Sequence, residues 1–263
     1  MSIRIRHLLE HLDTLAPPEL AEPWDNVGLL LGDDTQRATR VLVCLDVSPL
    51  ILDEAILNSC QVIVSHHPPI FKPLARIDTR DPLGGIVKTA LRHDIAFIAC
   101  HTNLDSAQGG VSDALARALG LEHCRPLQTK TGFADAGLGR IGRFDHAVPG
   151  DKLLRRVAAA TANRALAVAG KMPTTVTTVA LCGGSGSEFA PLARDLGADV
   201  YLSGEIKHSM ARWACDAGFC LIDGGHYGTE RLAVDILTDH LRGAGIDARR
   251  ATNEQSPFNL VDC

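Results

Sequence analysis

The strongest constraint on the fold is a module that occurs twice. Residues 41–65 read VLVCLDVSPLILDEAILNSCQVIVS, and residues 178–203 read TVALCGGSGSEFAPLARDLGADVYLS. Each runs from a short apolar strand through a turn and a helix to a second apolar strand. Cys44 to Ser65 and Cys182 to Ser203 are the same 21-residue step. Short β-branched runs bounded by turn signals read as buried strands of a mostly parallel sheet. The alternation continues through IAFIAC at 95–100, an alanine-rich helix Val111–Leu119 that Gly120 should end, FCLID at 219–223 and a long helix over 227–242. Strands and helices alternating at these lengths predict an α/β protein. The expected architecture is two related α/β halves, 1–125 and 126–263, with mainly parallel sheets facing a shared metal-containing cleft.

A chain of 263 residues has room for one large or two modest cores. Its net charge of −5 gives no electrostatic case for nucleic acid as a partner. No apolar run approaches the roughly 18–20 residues of a membrane span. The opening MSIRIRHLLEHLDTLAPPEL sets Glu10 and Asp13 among its leucines. It reads as an amphipathic helix with Leu8, Leu12 and Leu15 on one face, not as an export signal, so a cytoplasmic location is expected. The eight cysteines form no C-x-x-C pair and several lie in strand-like runs. They are expected to be reduced, buried and hydrophobic in role.

The chemistry gathers at three strand ends. VIVS is followed by His66 and His67, then by two prolines that forbid a helix there. IAFIAC is followed by His101 and Asp105, and FCLID by His226 and Glu230. Open α/β sheets place their ligands just beyond the carboxyl ends of parallel strands, so these groups can converge. His226 and Glu230 are spaced i, i+4 and share a helix face. Imidazoles and carboxylates without cysteine suit zinc, manganese, iron, cobalt or nickel. Three imidazoles and two carboxylates from among these six groups already exceed what one tetrahedral ion needs, and two divalent ions sharing a bridging carboxylate and a water would account for five ligands.

SHHPP, HTNLD and DGGHYGTE, with WDNVGLLLGD, LCGGSGS and SGEIKH, together resemble the Nif-three-like dinuclear metal-centre family, also catalogued as GTP cyclohydrolase 1 type 2 homologues. The resemblance covers nearly the whole chain, in a short form without the domain that longer members insert. It implies His66, His67, Asp105, His226 and Glu230 as metal ligands. His67 and Asp105 would belong to one ion, His66 and His226 to the other, with Glu230 bridging. It also implies a toroidal homohexamer with the sites facing an internal cavity.

Other polar residues stand near these motifs with two readings each. His101 is a candidate catalytic proton carrier or partner of a ligand, against a structural histidine. Glu205 and His208 either face the same cavity or simply begin a helix. The loop 183–187 (GGSGS) either holds an anion on its N–H groups or is a plain glycine turn. Asp25 and Asn26 either border the cleft or, the reading favoured, supply turn chemistry, and Asp46 either approaches the site or, again favoured, caps the next helix. The expected function is a dinuclear metal-dependent hydrolase acting on a nucleotide or other phosphate-containing small molecule through a metal-bridging water. The alternative is a non-catalytic metal-binding or regulatory interaction protein.

Overall fold

A computed structural model of the protein describes residues 2–258. The chain forms two compact units, one of residues up to Leu104 together with the stretch from Ala233 onward, the other spanning 105–232. The sequence led us to expect a single cut at 125/126. The difference has a physical origin at the C-terminal end. Strand Ala248–Arg250 pairs in parallel with Val41–Cys44. Glu54, 5% exposed, accepts the Thr252 and Asn253 N–H groups. A non-local ladder and a buried carboxylate thus return the last segment to the first unit.

The first unit's main sheet runs in the order Ala248–Arg250, Val41–Cys44, Val62–Ser65, Ala96–Ala99, Gly28–Leu31, parallel except for the last, antiparallel pair. Every residue of its three central strands is buried, as expected of a sheet covered on both faces. Leu42, Ile51, Leu52, Ile63 and Phe97 share its core with Cys44 and Cys60. Ser48 caps helix Pro49–Leu57 by accepting the Ile51 N–H at 3.3 Å. The N-terminal helix, Ile5–Leu15, buries Ile5, Leu8 and Leu12.

The second unit's sheet runs Glu122–Thr129, Gly137–Pro149, Thr175–Leu181, Val200–Ser203, Cys220–Asp223, Ala167–Ala169. Its central pairs repeat the plan of the first. Val41 faces Val62 and Val179 faces Val200, both in parallel and both 21 residues apart. In each unit a third parallel strand follows, and an earlier strand closes that edge antiparallel. The two modules therefore match in direction and connection.

The second sheet differs on its other side, where Glu122–Thr129 and Gly137–Pro149 form an antiparallel hairpin. Both strands mix buried with exposed positions, the mark of a ribbon with one face toward water. The single helix expected over 227–242 is two, His226–Glu230 and Leu232–Gly243. Gly120 ends Val111–Leu119 in the left-handed conformation, as the sequence predicted.

Cys44, Cys60, Cys100, Cys182 and Cys220 are buried and free, Cys124 is half-buried and Cys215 exposed. Burial pushes the Cys100 thiol up to about 12 and Cys60 and Cys220 to about 11, so these thiols stay protonated. Cys263 lies outside the described residues. Among those described, no helix is long and apolar enough to cross a membrane.

Candidate metal centre

Two histidines are set at the end of Val62–Ser65 by backbone pairing that outlasts the strand. The N–H groups of His66 and His67 donate to the carbonyls of Cys44 and Leu45 at 3.1 and 2.9 Å. Ser65 adds a hydroxyl bond to the His67 carbonyl at 2.8 Å. His66 is fully buried, and its Nδ1–H donates to the Cys100 carbonyl at 2.8 Å. The His67 Nδ1–H donates to Asp46 Oδ1 at 2.8 Å. Asp46 was read from the sequence as a helix cap, but Ser48 holds that position and Asp46 orients an imidazole instead.

His101 follows the neighbouring strand, Ala96–Ala99, and its Nδ1–H donates to Asp25 Oδ1 at 2.8 Å. The three rings are 5.1, 5.3 and 5.6 Å apart between centroids. One ligand atom from each of His66, His67 and His101 lies within 4.8 Å of the others, a cluster able to hold a metal ion. Each Nδ1 is engaged by an oxygen, which fixes the tautomer and makes Nε2 the nitrogen a cation would take. Ligating histidines are held in this way by carboxylates and carbonyls.

Asp25, for which the sequence favours turn chemistry, takes the other role and borders the histidine cluster. Its side chain is fully buried, and it also accepts from the Thr102 N–H at 3.0 Å and the Thr102 hydroxyl at 2.5 Å. Burial by itself would raise the Asp25 carboxyl, but the hydrogen bonds from His101 and Thr102 and the charge of His101 outweigh it, holding it at about 2. A carboxyl lowered on folding stabilises the native state above its unfolded pKa, and that contribution disappears as pH falls through the folded value. The window here runs from about pH 4 down to about 2, and the lowering is equivalent to about 2 kcal/mol. Asp25→Asn should therefore unfold at lower urea than wild type at pH 7 and converge with it near pH 2. A gap that does not change with pH would rule this account out.

In the second unit, Asp105 lies in the short helix Thr102–Ser106, where the chain passes between the units. His226 and Glu230 open and close helix His226–Glu230, and His226 Nε2 is 2.8 Å from Glu230 Oε2. The His226 Nδ1–H donates to Glu205 Oε1 at 3.0 Å, so Glu205 is an orienting carboxylate as well. His208, by contrast, is exposed at the start of His208–Ala217.

Glu230 is buried against the glycine loop. A Cβ on Gly184 would fall 1.9 Å from Glu230 Oε1, and Gly184 has φ +60°. The Gly184 N–H donates to the Thr229 hydroxyl at 3.0 Å, and the Gly186 N–H to Ser203 Oγ at 3.1 Å. Of the two readings of this loop, the glycine turn is the one the structure favours. Two of its N–H groups are engaged by side chains, and its missing side chains make room for a carboxylate.

Two α/β units of shared plan, with imidazoles and carboxylates beyond their strand ends, define a class of proteins equipped to bind metal. The chain belongs to the Duf34/NIF3 (NGG1p interacting factor 3) family, whose model matches residues 3–256. It is 36% identical over 233 residues to the GTP cyclohydrolase 1 type 2 homolog of Streptomyces coelicolor, covering 86% of this chain and 81% of that one. The protein of the same name from Clostridium acetobutylicum is 30% identical over 245 residues, covering 93% and 91%. Among solved structures, Staphylococcus aureus protein SA1388 matches with a TM-score of 0.90 at 25% identity, over 98% of this chain and 99% of that one. A Bacillus cereus protein related to NIF3 matches with a TM-score of 0.89 at 23% identity and the same coverage.

Proposed function

We propose that this protein is a metal-dependent hydrolase with a dinuclear centre held by His66, His67, Asp105, His226 and Glu230. The observation that carries the reading is that the three imidazoles of this set, His66, His67 and His226, each have Nδ1 beside an oxygen acceptor. That arrangement is the one ligation through Nε2 requires. The names of the relatives support a nucleotide or another phosphate-containing small molecule as substrate. The resemblance adds a homohexameric assembly.

A pair of divalent cations supplies Lewis-acid activation of water and of the attacked centre. The protein's own groups do the rest. His66 and His67 are ligands whose direction is set by the Cys100 carbonyl and by Asp46. His226 is aimed by Glu205, and Glu230 contributes its carboxylate from the same helix. His101 holds a proton at Nδ1 against Asp25 and exchanges another at Nε2. The buried Asp25 carboxylate holds that imidazole in one tautomer and orientation, a role a buried aspartate plays behind a general base.

The test is turnover of a nucleotide panel, GTP first, by the metal-loaded full chain. Wild type should turn over at least one member and His66→Ala none, with its circular dichroism unchanged. If folded His66→Ala matches wild type, the catalytic reading is lost, and a metal-binding protein without turnover is what remains.

A further inference from the structure

The first unit exposes two large aromatic rings beside the histidine cluster. Trp24 is 60% and Phe71 41% solvent-exposed. Their centroids are 6.0 Å apart at an interplanar angle of 66°, an edge-to-face corner. Each ring also stands close to His101, Trp24 at 6.4 Å and Phe71 at 6.3 Å between centroids. Burying a side chain of this size is ordinarily favourable by about 1.5–3 kcal/mol, so an indole left open beside a polar cluster calls for a reason.

The corner is braced. Asp25, next to Trp24, is tied to His101 and Thr102. Asn26 donates from its side chain to the Ile70 carbonyl at 2.5 Å, which links the Trp24 segment to the residue just before Phe71. The residues next to both rings are thus tied into the structure, while the rings themselves remain partly exposed. A preorganised pair of aromatic walls loses little conformational entropy when a flat ligand enters.

We propose that Trp24 and Phe71 are the specificity-determining residues of this site, forming a corner that takes a purine-type heteroaromatic ring and presents it to His101. The proposal rests on the hydrolase reading and names which part of the substrate is recognised, and where. One ring stacks on the incoming face while the other meets its edge, and the His101 imidazole is within reach of the ring's nitrogen and oxygen substituents. Aliphatic ligands gain little from such a corner. Base–aromatic stacking is typically worth about 1–3 kcal/mol per base, or roughly 5- to 150-fold in affinity.

Calorimetric titration of the full chain with GMP, AMP and ribose 5-phosphate tests this, alongside metal content and solution mass. Trp24→Ala should weaken GMP and AMP about 10- to 100-fold and leave ribose 5-phosphate and metal content unchanged. Trp24→Phe should recover most of the loss, and Phe71→Ala should weaken the same two ligands. The proposal is overturned if neither nucleotide binds wild type, if Trp24→Ala binds them as wild type does, or if ribose 5-phosphate weakens equally. A change in assembly mass with nucleotide affinity intact also overturns it, because the rings would then be packing against a second copy. Ring-selective binding without turnover leaves the corner standing and removes the hydrolase. Turnover that is indifferent to Trp24 does the reverse.

Discussion

Glu230→Ala protein should emerge from purification folded, depleted of metal, and slower than wild type by about a hundredfold or more, since even groups that only orient a metal ligand are worth about 10- to 100-fold. The size follows from where the carboxylate sits. Glu230 is 3% exposed, and burying an ionised carboxylate is costly unless charge or hydrogen bonds compensate it. His226 Nε2 lies 2.8 Å away, and the loop over the carboxylate has glycine where any Cβ would collide with Oε1. Under the proposed assignment Glu230 would serve both ions of the pair, so Glu230→Ala should lose more metal than Asp105→Ala. Gly184→Ala should reproduce part of the defect with every ligand present, since its methyl group would fall on Oε1 and its backbone has φ +60°. Elemental analysis and turnover of the three variants check this. Metal loss equal for Glu230→Ala and Asp105→Ala would refute the bridge, and full metal with full turnover in Glu230→Ala would refute the site.

The second large effect concerns stability. Arg140 is 2% exposed, and its guanidinium is fully used. It holds Asp113 through Nε at 2.6 Å and an Nη at 2.9 Å, and donates to the carbonyls of Ala107, Gly137 and Gly139 at 2.7–2.9 Å. Asp113 in turn accepts the Gly109 N–H at 2.7 Å. One buried cation therefore ties the hairpin strand Gly137–Pro149 to the segment that leads from Asp105 into helix Val111–Leu119. Arg140→Met keeps approximate bulk but strands the Asp113 carboxylate and three carbonyls, at a cost of about 3–5 kcal/mol. Urea unfolding of the metal-free protein measures it. Arg140→Met/Asp113→Leu should regain part of the loss, because no charge is then left without its partner. A single variant within 1 kcal/mol of wild type would show that the network contributes little.

The strand ends that carry the histidines could be read because their causes are local. A β-branched run closed by Ser65, His66, His67 and two prolines has few conformations open to it, and parallel strands put their carboxyl ends on one edge. The 21-residue step of the repeated module survived for the same reason. It is the contour of one strand–helix–strand turn, and both sheets pair in that register. The i, i+4 spacing of His226 and Glu230 was equally local, and the helix delivers them 2.8 Å apart.

For Asp25 and Asp46 the sequence offers both a turn or cap role and a place at the site, and favours the former, because a polar residue in a turn-rich stretch looks the same whether it caps a helix or reaches an imidazole. His101 is 76 residues from Asp25, and no periodicity links them. The antiparallel hairpin, the break between Glu230 and Leu232, and the return of Ala248–Arg250 to the first unit were also invisible in the sequence.

The amino-acid sequence by itself determined the alternation of strands and helices, the strand ends that bear imidazole and carboxylate, and the repeat that relates the two units. These depend on propensity, spacing and proline geometry within about thirty residues. Only the tertiary structure decided which oxygen holds each Nδ1, how Glu230 is accommodated, and that an indole stays open to solvent beside His101. Those outcomes come from pairings between distant segments, whose free energies no local pattern encodes.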